Sequence, residues 1–170
     1  MSTNRRRAAV RGAAAAALGT LAMDLLWYSR YRRGGGTDGF PAWELSTATK
    51  DFEHAGTPAQ VGRRLAGDLA HLELPDRAAA ATNDVVHWAT GIQWGLLYGV
   101  AVALGVEPGP RSGAVLGIVA CSTSYVLLPK LDLYEPIWTY DAKTLAQDYS
   151  AHLLFGWATG CSLWALTRRS

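Results

Sequence analysis

Residues 85–106 form an uninterrupted apolar run bounded by Asp84 and Glu107. At about 1.5 Å per residue, a helix of that length reaches ~33 Å, enough to cross a hydrocarbon core of ~30 Å. Within the run His87, Gly91, Gly95 and Gly99 recur at every fourth position. One face of the helix therefore carries an imidazole followed by a row of bare backbone. The pattern returns near the C-terminus as His152, Gly156 and Gly160 in HLLFGWATG. Each of these helices has an apolar partner before it. The expected fold is all-α: an integral membrane four-helix bundle made of two tandem two-helix units.

Average composition hides this pattern. Mean hydropathy is only +0.04 and charged residues make up 18% of the chain, values ordinary for a soluble protein. The charges, however, gather between the apolar runs instead of dispersing through them. Seven Trp and seven Tyr suit rings placed at membrane–water interfaces. A net charge of +2, with no basic cluster interleaved with aromatics outside the termini, argues against nucleic acid as a partner. Cys121 and Cys161 fall inside apolar runs with no CxxC spacing, and read as small packing residues.

Taken in order, the chain opens with Arg5, Arg6, Arg7 and Arg11 before the run AAAAALGTLAMDLLWY. A basic stretch before an apolar one is also the shape of a signal peptide. Here the run contains Asp24, lacks an A-x-A site and ends among Trp27, Tyr28, Arg30, Tyr31, Arg32 and Arg33, so a retained first span at residues 12–29 is expected. A loop at 34–83 follows. In it Thr57-Pro58-Ala59-Gln60 reads as a capping-box start to a short amphipathic helix. Val61, Leu65, Leu69 and Leu72 share one face of that helix, Arg63, Arg64 and Asp68 lie off it, and Leu74-Pro75-Asp76 is its expected end. Such a helix suits the bilayer surface or the side of the bundle. The second span is 85–106, the third 113–128 and the fourth 149–167, closed by Arg168 and Arg169. Residues 1–170 thus form a single membrane domain. Arginine placement at the termini and at Arg111 puts both termini in the cytoplasm, against the opposing count of Arg30, Arg32 and Arg33.

Spans two and four run in the same direction, so His87 and His152 are expected at similar depth. Asp84 and Asp148 lie about one turn before them. Asp24, late in the first span, points toward the same membrane face. An ionisable residue inside a span is costly and usually faces the bundle or water. Asp24, Asp84, His87, Asp148 and His152 are therefore candidates for one polar pocket, and Gly91, Gly95, Gly99, Gly156 and Gly160 for close helix packing. Three roles compete for the cluster. Asp–His pairs cap helix starts while glycines pack; or the cluster relays protons or ions, as in a small transporter; or His87 and His152 ligate a metal or haem. Two histidines do not complete a zinc site, and no CxxCH, GxSxG, GxGxxG, P-loop or HExxH is present. No cofactor is expected on that basis, and no catalytic residue is nominated.

The two H-x-x-x-G-x-x-x-G helices, the arginine-led start, the long loop after span one and LYEPIW at 133–138 resemble the YagU-like bacterial inner-membrane proteins and related four-span families. That resemblance implies an integral location in the bacterial cytoplasmic membrane and supplies no activity. The expected function is that of a small non-enzymatic membrane protein whose partners are the lipid bilayer and another membrane protein or a second copy of itself.

Overall fold

The computed structural model describes residues 3–168. They are all-helical, with no strand among the described residues. Six α-helices follow one another: α1 (Thr3–Arg33), α2 (Phe40–Glu44), α3 (Thr57–Ala70), α4 (Ala79–Ala103), α5 (Pro110–Leu127) and α6 (Ala142–Arg168). Two segments, Asn4–Arg33 and Pro110–Leu131, are long and apolar enough to cross a membrane. The chain divides into two compact units, one of Met1–Leu26 with Thr90–Ser170 and the other of Trp27–Ala89.

Each long helix begins earlier than its apolar run. α4 starts at Ala79 rather than Val85, and α6 at Ala142 rather than Tyr149. Hydropathy marks where side chains change character, whereas the helix continues until its backbone bonds are interrupted or capped. Thr82, Asn83, Asp84 and the segment Lys143–Asp148 are therefore helical. Asp84 and Asp148 sit inside their helices and do not cap helix starts, which removes that expectation. Arg169 lies outside the described residues.

In the first unit the helices pair through glycine. A methyl group at Gly12 of α1 would lie 2.8 Å from the Cα of Gly99 in α4, and one at Gly99 would lie 2.8 Å from the carbonyl carbon of Ala8. The α5–α6 pair repeats the arrangement. A methyl at Gly113 would lie 2.9 Å from the Cα of Gly160, and one at Gly160 would lie 3.0 Å from the carbonyl carbon of Gly109. Gly95 faces Gly12 and Ala16, and Gly156 faces Gly113 and Gly117 in the same way. Helix axes this close leave no room for a Cβ at the crossing.

The second unit has its own small core of Phe52, Ala59 and Ala79. α3 differs from expectation at both ends. Its N-cap is Gly56 with no side-chain cap bond, and the Gln60 amide donates to the Phe52 carbonyl instead of closing a capping box. The helix stops at Ala70, where His71 takes a left-handed conformation. At that end the His71 and Leu72 N–H groups bond back to Gly67 and Ala66. At the end of α1, Tyr28 packs with Phe40 and Trp43 at ring separations of 5.2 and 5.5 Å.

Gly95→Leu and Gly156→Leu should each destabilise the purified protein by at least about 2 kcal/mol, because the added side chain meets backbone that cannot yield. Gly67→Ala, at a helical position with nothing within 4 Å of the added methyl, should stabilise by about 0.5–1 kcal/mol. Thermal unfolding of the three variants in one detergent checks the contrast.

Candidate functional site

The glycine contacts define how the two helix pairs correspond. Gly12 answers to Gly113, Gly95 to Gly156 and Gly99 to Gly160. Burial follows the same register: Ala15, Ala16, Gly19, Thr20 and Asp24 are buried in α1, as are Leu116, Gly117, Ala120, Cys121 and Tyr125 in α5. Outward positions match too, Leu18 with Val119 and Leu25 with Val126, all exposed. This register differs by one helical turn from pairing His87–Gly91–Gly95 with His152–Gly156–Gly160. By contact, Gly91 corresponds to His152, and His87 to Asp148. The two histidines are not equivalent positions. A four-residue sequence period reads the same after sliding one turn, so only the contacts choose between the alternatives.

One polar cluster of the first unit lies where α5 ends and α6 begins. The Tyr125 hydroxyl donates to the Asp148 carboxylate at 2.5 Å. Next to it the hydroxyls of Ser122 and Tyr149 share a hydrogen bond of 2.9 Å. The rings of Tyr134, Tyr140 and Tyr149 surround that of Tyr125 at 5.4, 5.3 and 6.3 Å, and the Tyr140 hydroxyl accepts the backbone N–H of Glu135. The Nδ1 of His152 lies 2.9 Å from the backbone carbonyl of Asp148. The expected Asp148–His152 neighbours are thus joined through the main chain, while the carboxylate serves Tyr125. Asp24 is buried at 4% exposure in α1, at the position equivalent to Tyr125.

The five residues expected in one pocket are divided between the units: Asp24, Asp148 and His152 belong to the first, Asp84 and His87 to the second. In the second unit Ser46 donates its hydroxyl to the Asp84 carboxylate at 2.8 Å, and the Asn83 amide donates to the same Ser46 oxygen at 2.9 Å. Trp88 donates from its indole nitrogen to Glu44 at 3.0 Å. Asp84 therefore fastens the loop after α2 to the start of α4. His87 is half-buried. Among the described residues no group of three or more His, Cys, Asp and Glu side chains is placed to hold a metal ion. Cys121 and Cys161 are free thiols, Cys121 buried.

Tyr125 is the functional candidate that periodicity overlooks. A lone tyrosine near the end of an apolar run looks like an interfacial ring, and only the repeat register marks it as the counterpart of Asp24. No protein-family model, curated protein or solved structure matches the chain.

α6 is capped ahead of the cluster by Asp141, whose carboxylate accepts the Thr144 N–H at 2.9 Å and the Thr144 hydroxyl at 3.1 Å. Those bonds favour the charged form and hold the carboxyl below its ordinary value of 3.8. A depressed folded-state value means that the contribution is complete above the unfolded-state pKa and is lost as pH falls through the folded one. Asp141→Ala should therefore lower the melting temperature at neutral pH. The gap to wild type should close as the solution is acidified below 3.8. Tyr125→Phe should cost about 2 kcal/mol, the typical worth of a hydrogen bond to a charged group. Ser122→Ala should cost about 1 kcal/mol or less. Thermal melts of both variants, with a Tyr125/Asp148 double-mutant cycle, check the pairing.

Proposed function

We propose that the chain is a small integral protein of the bacterial cytoplasmic membrane, a four-span bundle of two tandem helix pairs with both termini in the cytoplasm. It acts by binding within the membrane rather than by catalysis. One observation carries this reading: glycine fills the helix crossings while large apolar side chains are left exposed. At the crossings glycine meets backbone, while Leu18, Leu25, Leu97, Val119, Val126 and Trp157 are 46–59% exposed on the far sides of α1, α4, α5 and α6. In water that distribution leaves a continuous apolar surface uncovered. In lipid it is the expected one, because close backbone approach replaces hydrophobic burial as the source of association. Only 28% of the most apolar window of Pro110–Leu131 is buried, which supports lipid rather than a protein core around it. The same location is what the resemblance to YagU-like inner-membrane proteins implies.

A second reading, proton handling, is favoured by two adjacent hydrogen-bonded pairs, Ser122 with Tyr149 and Tyr125 with the Asp148 carboxylate, near His152. Hydrogen-bonded groups of this kind mark proton paths in membranes.

The membrane reading predicts resistance to alkaline carbonate extraction. It also predicts that, in a cysteine-free background, an impermeant maleimide on spheroplasts labels Gly35→Cys and Lys143→Cys but spares Glu107→Cys. Release by carbonate, or equal labelling at Gly35 and Glu107, would overturn it. Proton flux into liposomes that disappears in Asp148→Asn would replace passive binding with transport.

A further inference from the structure

We propose that α3 is an in-plane membrane helix, seated among phospholipid headgroups with Leu65 and Leu69 pointing into the acyl boundary. The proposal rests on the membrane reading above. The helix packs on its own unit through small residues in its first half. Ala59 is fully buried against Phe52 and Ala79, and the bare backbone of Gly62 receives Thr82 and Val86 of α4, where a methyl would lie 2.9 Å from the Val86 Cγ2. Small residues make the intramolecular contact. The leucines are left beside it, Leu65 at 46% and Leu69 at 77% exposure.

Depth follows from where that contact lies. Thr82 and Val86 fall in the first two turns of α4, at the boundary between its polar start and its apolar run. A helix packed there sits at the entrance to a span, which is the level of the headgroups. The charges suit that level. Arg63 lies over the Phe52 ring at 5.3 Å, on the packed side. Arg64, paired with Asp68 at 3.5 Å, borders the leucine stripe, where its guanidinium can meet phosphate while the leucines insert. Val85, the neighbour of Val86 on α4, is also 68% exposed. The occupant of the stripe is therefore lipid.

The test places an environment-sensitive fluorophore on single cysteines in the cysteine-free full chain, reconstituted into phosphatidylcholine–phosphatidylglycerol vesicles. The sites are Leu69→Cys on the stripe, Gly67→Cys off it and Val119→Cys on α5. The expected result at Leu69 is blue-shifted emission, loss of iodide quenching, and quenching by lipids spin-labelled near the headgroup more than by those labelled at mid-chain. Gly67 should stay open to iodide, and Val119 should be quenched by the mid-chain label. A Leu69 probe as open to iodide as Gly67, with Val119 still quenched in the bilayer, overturns the placement of α3 alone. A Leu69 probe that is dry but blind to both lipid labels, and that becomes wet on dilution of protein in lipid, overturns it in favour of a second copy. Failure of the Val119 probe to sense mid-chain label overturns the membrane reading as well.

Discussion

The first unit depends on helix backbones touching at glycine. Where Gly12 and Gly99 meet, and again where Gly113 and Gly160 meet, no Cβ stands between the helices. Many short contacts and weak Cα–H···O interactions then accumulate along each crossing. At those points a crossing that excludes a methyl group admits no large side chain. Leu116, Phe155 and Leu163 are buried elsewhere in the unit, while Leu18, Leu25, Val119 and Val126 are exposed.

That packing recurs, and the recurrence organises the polar residues. The two helix pairs have corresponding positions, but those positions are filled differently. Asp24 in α1 answers to Tyr125 in α5, and Thr20 to Cys121. In the second pair the tyrosine hydroxyl meets the Asp148 carboxylate at 2.5 Å, and four tyrosine rings close around the junction of α5 and α6. A buried polar group is tolerated only with its partners in place. This cluster supplies them from one connected stretch of α5, the following loop and α6. Asp84 finds its partner elsewhere, in Ser46 of the second unit.

The second unit follows different rules. Its core is a phenylalanine among alanines, and α3 reaches it through Ala59 and Gly62 while its leucines stay outside. Thr82 and Val86 come close enough to α3 that a Cβ at Gly62 would clash with them, while Leu65 and Leu69 remain exposed.

Much was legible from residue order alone: an all-helical chain, the existence of four long helices, the short α3 and the glycine rows all follow from periodicity and from the apolar runs. Helix starts were misplaced because hydropathy reports the character of side chains, while a helix begins at its cap, as α6 does at the Asp141 carboxylate. The capping box at Thr57 failed because Gln60 found the Phe52 carbonyl instead. The polar candidates Asp148 and His152 were visible as neighbours, but their partners were not, since Tyr125 is distant in sequence and carries no local signal. Composition and spacing determined which faces are small and which are apolar, because those properties belong to single helices. Only the tertiary structure decided the register of the repeat, the division of the five acids and histidines between two units, and which face of α3 packs. Each of these depends on contacts between segments far apart in the chain, and a four-residue period is unchanged by sliding one turn.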